Sequence, residues 1–224
     1  MYDTYSEAKC QTLVNAFVSN GTWHVPTLYR LRGIQTADDP LFAADANLVY
    51  VPKDVKASWN AIAAGFTAIP ASGKASLRQY YDLQKTLTRL MKRGGVKMLA
   101  GSDSARIAVW MIPGFSLQQE FRELAAAGLS PLEILQMTTL NGAEFLGRTS
   151  TMGTVEEGKN ADLVLLDANP IADVANFAKI GAVFLKGRYF SKTALDKLKS
   201  DLAGAVASQP AVSMSAVTMP DHND

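Results

Sequence analysis

Hydrophobic residues recur at helical spacing at the start of the chain and then give way to a strand-like run. Ser6 can cap a helix whose apolar side runs from Cys10 to Val18, and Asn20-Gly21 supplies a left-handed stop. Residues 22–28 follow as a short β-branched and aromatic segment, which predicts a strand, and Pro26 indicates that backbone pairing stops near its end. The pattern therefore predicts one helix followed by one strand.

Residues 33–75 are the least regular part of the chain. Turn or helix-start signals occur at 38–40 and 51–53, and residues 71–73 are predicted to form a flexible joint. An insertion of this length is either a lid or binding loop, or a surface embellishment without a catalytic role. Within it, one helical face is predicted from these apolar residues: Val55, Trp59, Ile62 and Ala63.

A second α and β alternation follows the insertion. The pattern predicts a helix from Ser76 to about Arg93, ended by two glycines, and then a buried strand over 96–100 that leads into Gly101-Ser102-Asp103-Ser104. Two further helices are predicted from capping-box sequences that begin at Ser116 and Ser130. Alternating helices and buried strands imply parallel β/α units, although these are too few to close a barrel.

The pattern changes again after residue 150. Short antiparallel strands are predicted at 152–155, 161–167 and 182–185, with Gly187-Arg188 as a tight turn. A last helix is predicted from Ser191 to about Ala207. The final residues, Ser208 to Asp224, combine low hydrophobicity with two prolines, which is typical of a disordered tail.

Charge and composition narrow the classes of function. Lys plus Arg number 22 against 21 Asp plus Glu, a net charge of +1 without a basic stripe, so a nucleic-acid partner is not indicated. Cys10 is the only cysteine, which excludes an intrachain disulfide and a thiolate zinc cluster. No apolar run approaches the roughly 18 residues of a membrane span, and the first residues are unlike a secretory signal. The expectation is a cytoplasmic protein without a membrane partner; a truncated chain would show the same pattern.

Several segments together resemble one known family. Residues 97–104 are similar to the eighth barrel strand of the amidohydrolase superfamily, in its imidazolonepropionase-like and prolidase-like branch, and Val25–Leu28 is similar to the seventh. The resemblance covers roughly residues 1–190 and rests on the order of its motifs. These motifs are Gly114–Leu117, Glu120-Phe121, Ala127–Pro131, Thr138–Ala143, Gly153–Leu165 and Gly187-Arg188.

The resemblance implies an α/β fold made of part of a (β/α)8 TIM-type barrel and part of a small β-sandwich domain. Residues 1–150 would be the C-terminal part of the barrel, with the insertion at about 33–75. Residues 151–190 would belong to the β-sandwich domain, and 191–224 would be a terminal helix and disordered tail. The family also implies one or two divalent metal ions, zinc above all, at the C-terminal ends of the barrel strands.

Asp103 is the candidate site residue, with a catalytic and a metal-ligating role. A carboxylate at the C-terminal end of a barrel strand lies where this architecture places catalytic groups. In the family, the matching Asp binds the metal and takes a proton from the water that attacks the substrate carbonyl. The alternative is that Asp103 caps the following turn.

The other ligands of the family's site are not found in this sequence. The chain has two histidines, His24 and His222, and no His-x-His pair. His24 matches a variable position of the seventh strand, so a core or substrate-facing role is favoured over a ligand role. His222 lies in the predicted tail. No substrate-binding residue is assigned, and no serine has a histidine partner that would indicate a catalytic triad.

Aromatic residues near the seventh strand leave alternatives open. Thr27 and Tyr29 lie where a substrate would bind, but Tyr29 is equally consistent with packing. Trp59, Tyr80 and Tyr81 could line a pocket beneath the insertion, and their helical spacing favours core packing instead.

Two hypotheses for function follow. The first is part of a metal-dependent hydrolase acting on C–N bonds of a small amide, peptide or cyclic amide, with its remaining ligands supplied by another segment or chain. The second is an inactive remnant that folds and self-associates, because a partial barrel exposes strand edges and apolar faces that a homo-oligomer would cover. For this chain alone we expect no hydrolysis.

Overall fold

The first helix matches its sequence signals closely. The computed structural model of the protein describes residues 5–104 and 108–210. Helix α1 spans Glu7–Ser19, begins after Ser6 and ends at Asn20. Gly21 then adopts φ +61°, the left-handed stop that the sequence predicts. The helix and its stop are confirmed, but the Ser6 side chain makes no capping hydrogen bond.

The predicted strand over 22–28 is much shorter in the structure. His24 pairs in parallel with Met98 at a single position, and the strand predicted over 96–100 is reduced to this same pairing. The His24 backbone N–H donates to the Lys97 carbonyl (2.9 Å), and the His24 carbonyl accepts from the Leu99 N–H (3.0 Å). Helix α2, Leu28–Gln35, begins directly after Thr27, so the strand prediction was wrong beyond this pairing.

The region from 36 to 95 is mainly helical. Helix α3 spans Pro40–Ala43, a 3₁₀ helix spans Ala46–Tyr50, α4 spans Lys53–Thr67 and α5 spans Ala71–Arg93. The predicted flexible joint at 71–73 was wrong, because these residues form the first turn of α5. Pro70 occupies the N-cap position of α5. The N–H groups of the first helical turn have no acceptor within the helix, so the helix can begin directly after this residue.

Three helices follow the Asp103 segment: α6, Phe115–Ala126; α7, Pro131–Thr138; and α8, Leu140–Phe145. The capping box of Ser130 is confirmed. The one predicted at Ser116 was wrong, since Gly114 precedes α6 with φ +82°, and the Ser116 Oγ accepts the Ile112 N–H instead (2.7 Å).

A small antiparallel sheet and a last helix complete the described chain. Strands β1 (Leu163–Leu166), β2 (Ile180–Leu185) and β3 (Arg188–Ser191) lie in the order β1-β2-β3. A 3₁₀ helix, Val174–Ala178, lies between β1 and β2. Residues 152–155 are not part of this sheet, so a strand there was a wrong prediction.

Helix α9, Lys192–Ser208, is capped by the Ser191 side chain and confirms the predicted terminal helix. His222 and most of the predicted tail, residues 211–224, lie outside the described residues. Within the described ranges, no helix is long and apolar enough to cross a membrane.

Two hydrophobic clusters hold the elements together. One surrounds the parallel pair and includes Leu28, Met98, Leu124 and Ile134, all at most 1% exposed. The other packs α2, α3 and α4 against residues 108–112. The two paired segments are therefore anchored in the core, and their C-terminal ends emerge together at its edge. The described architecture is α/β, with helices around one short parallel pairing and a separate small sheet.

Candidate functional site

Asp103 lies at the end of the segment that pairs with His24. That segment is fixed on its other side, since the Asn141 Nδ2 donates to the Met98 carbonyl (2.8 Å) and the Ala100 N–H donates to the Met137 carbonyl (3.3 Å). The Asp103 side chain remains 57% exposed. A rigid segment thus presents this carboxylate to solvent.

Arg30 connects the ends of the two paired segments. Its Nη1 lies 2.7 Å from the Asp103 Oδ2 and donates to the Asp103 backbone carbonyl at 3.2 Å. Arg30 is the third residue of α2, the helix that follows the His24 segment. The two segment ends are therefore joined by charge as well as by backbone pairing.

Both segment ends adopt left-handed backbone conformations. Thr27 and Asp103 each have φ +50°. Aspartate tolerates this region, but a β-branched threonine there is strained. Strained backbone of this kind is concentrated at functional sites and persists only where the surrounding structure imposes it.

A buried glutamate holds the start of α2. Glu120 on α6 is fully buried, and its Oε1 and Oε2 accept the N–H groups of Leu28 (3.0 Å) and Tyr29 (2.7 Å). Thr27 provides no side-chain cap for these donors. Burial raises the pKa of Glu120 to about 7, the two backbone N–H groups act in the opposite direction, and the charge of Glu123 adds to the increase.

A second polar network lies one turn further along α2. Arg32 pairs with Glu123 (3.0 Å) and Asp39 (2.8 Å), and the Tyr81 hydroxyl donates to Glu123 at 2.7 Å. Burial, and then the charge of Glu123, raise the pKa of Tyr81. This network ties α2, α5 and α6 together behind the site.

The aromatic residues considered as pocket-lining groups are mostly core residues. Tyr29 is 5% exposed and packs edge-on against Phe42, and burial followed by the charge of Asp45 raises its pKa to about 12. Trp59 is buried against Trp110, Tyr81 is buried and bonded to Glu123, and Tyr80 is 38% exposed. Packing thus explains Tyr29, Trp59 and Tyr81.

His24 is half-buried and packs edge-on against Phe17, and burial lowers its pKa. Over residues 5–104 and 108–210, no group of three His, Cys, Asp or Glu side chains converges to hold a metal ion. A catalytic zinc normally has three protein ligands, so the donor set of the described chain does not fit one. Asp103 as a metal ligand stays a prediction.

Two cavities lie away from this carboxylate. One of about 290 Å³ is lined by Asp38, Asp39 and Arg78, and one of about 570 Å³ lies beside β1. Asp103 lines neither, so neither is assigned to substrate.

Sequence reasoning missed Arg30 and Glu120 as site residues. Arg30 is 73 positions from Asp103, and Glu120 is 92 positions from Leu28. Their partners become adjacent only in the folded chain. Glu120 belongs to a family-like motif, but no local pattern indicates that it caps another helix.

The exposed ion pair is expected to contribute little to stability. In a double-mutant cycle with Arg30→Met and Asp103→Asn, we expect a coupling below about 1 kcal/mol, because exposed pairs gain little in water. The more buried Arg32–Glu123 pair, tested with Arg32→Met and Glu123→Gln, should show the larger coupling. Urea unfolding of the four variants of each cycle measures both; the opposite order would contradict the expectation.

Comparisons with known proteins agree on one family. The model described as "Amidohydrolase family" matches residues 24–189. The imidazolonepropionase of Shouchella clausii is 50% identical over 40 residues, which make up 18% of this chain and 9% of that protein. The 5'-deoxyadenosine deaminase of Methanobrevibacter smithii is 44% identical over 54 residues, 24% of this chain and 12% of that protein.

Solved structures show a similar fold. A bottromycin amidohydrolase superposes with a TM-score of 0.65 at 21% identity, over 82% of this chain and 40% of that one. An Xaa-Pro dipeptidase superposes with a TM-score of 0.55 at 19% identity, over 80% and 36%. The chain thus spans less than half the length of the relatives it matches.

Proposed function

Since the chain belongs to the amidohydrolase family, we propose that it contributes Asp103 to a site that hydrolyses C–N bonds. The remaining groups of that site would come from outside the described residues. The imidazolonepropionase, the deaminase and the amidohydrolase that it resembles support C–N bonds as the class of substrate. A small amide, peptide or cyclic amide is the substrate that fits this class.

The position of Asp103 is the single observation that carries the proposal. The carboxylate follows a core segment paired in parallel with its neighbour, it is exposed to solvent, and its backbone is left-handed. Catalytic side chains of parallel β/α architectures lie at this end of their strands. An Asx cap alone would not account for the ion pair with Arg30 from a neighbouring segment.

The finer architecture is proposed on the same ground. Residues 1–150 would be the C-terminal part of a TIM-type barrel in which the His24 and Met98 segments are adjacent strands. Residues 151–190 would belong to a small β-sandwich, of which β1, β2 and β3 form one sheet, and α9 would follow it. The parallel pairing of His24 with Met98 supports the barrel, since neighbouring barrel strands pair in this way.

The chemistry proposed for Asp103 is proton transfer. The ion pair with Arg30 requires the ionised carboxylate, which is the form that accepts a proton from a water attacking a carbonyl carbon. The same carboxyl group can then deliver that proton to the leaving nitrogen. Both proton transfers are steps that Asp103 itself can perform, and the described residues contain no donor set that fits a catalytic metal ion.

A second candidate is a non-catalytic, self-associating chain. Large apolar side chains are exposed on the sheet and on α9, among them Val164, Leu165, Tyr189 and Leu198. Association can bury exposed apolar side chains of this kind. A homo-oligomer would cover them without requiring any reaction at Asp103.

The metal content of the protein and the mass of its assembly in solution distinguish the hydrolase from the non-catalytic, self-associating chain. We expect the isolated monomer to hold well below one zinc per chain by elemental analysis, and to show no hydrolysis of simple amides. Where an assembly holds near-stoichiometric metal, Asp103→Asn should remove both metal and hydrolysis, while Asp201→Asn on the exposed face of α9 should not. Hydrolysis that survives Asp103→Asn would contradict the proposed role.

A further inference from the structure

The orientation of α2 has to be fixed by something other than its exposed ion pair. Arg30 reaches Asp103 only because α2 begins at Leu28 and directs its third residue toward the carboxylate. The Arg30 and Asp103 side chains are 27% and 57% exposed, so their attraction is screened by water. The Arg30–Asp103 ion pair is therefore a consequence of the position of α2 and does not fix that position.

The first turn of α2 is held by Glu120 instead. One carboxylate accepts two successive backbone N–H groups, at 3.0 and 2.7 Å, from a helix whose own N-cap residue offers no acceptor. A negative charge at a helix N-terminus is favourable, and bonds from N–H to carboxylate are among the stronger hydrogen bonds. Because Glu120 is fully buried, water cannot replace it.

We propose that Glu120 is a positioning residue, whose buried carboxylate fixes the first turn of α2 and thereby places Arg30 against Asp103. The inference rests on the proposed role of Asp103. Glu120 itself touches neither Arg30 nor a substrate. Its effect passes through Leu28 and Tyr29, the residues directly before Arg30.

The surroundings of Glu120 make its carboxylate sensitive to pH. Burial is the main cause, and Glu123 on the same helix adds negative charge. From the elements packed against α6, Tyr81 on α5 interacts with Glu120, and Arg32 on α2 pairs with Glu123. Glu133 on α7 is bonded to Ser130 and Lys92, and the 3₁₀ helix Val174–Ala178 carries no titratable side chain. Protonation would leave one of the two N–H groups with a weaker acceptor and loosen the turn.

The test is an NMR titration of the whole chain between pH 6 and 8.5. It follows the amide protons of Leu28 and Tyr29 and the side-chain carboxyl carbon of Asp103. We expect all three signals to change with one shared midpoint near pH 7. Glu120→Gln should remove this transition from all three signals.

Arg30→Met separates capping from positioning. In that variant, Leu28 and Tyr29 should still titrate, while the Asp103 signal should no longer follow them. A flat Asp103 signal in the unmodified chain, or a transition that persists in Glu120→Gln, would overturn the proposal. If Glu120→Gln does not fold, a midpoint shared by the three signals of the unmodified chain still tests the proposal. Since no readout is turnover, loss of the hydrolytic proposal would leave this result unaffected.

Discussion

Replacing Gly153 with alanine is expected to destabilise the chain by about 3 kcal/mol. Gly153 has φ +97°, a conformation that L side chains rarely adopt. A Cβ at this position would lie 2.6 Å from the Ala143 Cβ and 3.2 Å from the Leu140 Cα. The Leu140 atom is backbone, and Ala143 is a buried residue of α8, so neither can move away cheaply. Backbone strain of about 1–2 kcal/mol and an overpacking cost of about 1–3 kcal/mol therefore add.

Gly158→Ala is the matched control for the backbone contribution. Gly158 also has positive φ (+84°), but a Cβ there would meet nothing within 4 Å. We expect this variant to lose only the strain, about 1–2 kcal/mol. Urea unfolding followed by circular dichroism gives both values by linear extrapolation. Equal losses in the two variants would show that the close contact with α8 does not matter.

The contact at Gly153 shows why part of the resemblance could be found in the sequence. Gly153 belongs to a family-like motif, and the requirement for glycine there is physical, because α8 leaves no room for a side chain. A motif of this kind indicates that the position is constrained. It does not indicate which element imposes the constraint, since Leu140 and Ala143 are identified only by the folded structure.

Elements with local signals were the ones that could be predicted. Helices α7 and α9 begin after the capping side chains of Ser130 and Ser191, because capping depends on residues within one turn, and α1 begins after Ser6 without a side-chain cap. The strand segments at 22–28, 96–100 and 152–155 were misjudged, since pairing depends on a partner far along the chain. Composition made all three segments plausible strands, and tertiary contacts decided otherwise.

The residues of the candidate site also differ in whether a local sequence pattern could identify them. Asp103 could be selected because a family-like motif surrounds it, whereas residue chemistry alone favours a turn cap. Arg30 and Glu120 could not be selected, because their partners are 73 and 92 positions away in the sequence. The buried position of Glu120 is also atypical, since carboxylates are rarely fully buried, and its partners are backbone N–H groups of a segment far away in the sequence. Local sequence patterns contain no signal for such an arrangement.

The buried carboxylate of Glu120 is expected to make stability fall with rising pH. Its pKa is about 7 in the folded chain against an ordinary value of 4.5, so the folded state binds this proton more tightly than the unfolded state. The contribution to stability is therefore complete below about pH 4.5 and is lost as the pH rises through 7. A difference of this size corresponds to about 3 kcal/mol. Other titrating groups also change the free energy of unfolding with pH. The contribution of Glu120 is therefore visible only by comparison with a variant that lacks its carboxyl group.

Glu120→Gln isolates that contribution, because glutamine stays neutral at every pH. Its amide offers one acceptor oxygen and an NH2 group that cannot accept, which lowers stability by about 1–3 kcal/mol relative to the protonated carboxyl group at pH 4.5. On top of that offset, the stability advantage of the unmodified chain over the variant should shrink by about 3 kcal/mol between pH 4.5 and 8. Urea unfolding at several pH values gives the difference directly, and Glu144→Gln, at a half-exposed glutamate paired with Lys97, controls for removing a charge. A difference that stays constant across this range would mean that Glu120 is ionised in the folded chain throughout it, as it is in the unfolded chain. The expected result would show instead that, above pH 7, the chain keeps a charged acceptor at the start of α2 despite its cost in stability, which is what a positioning role for Glu120 requires.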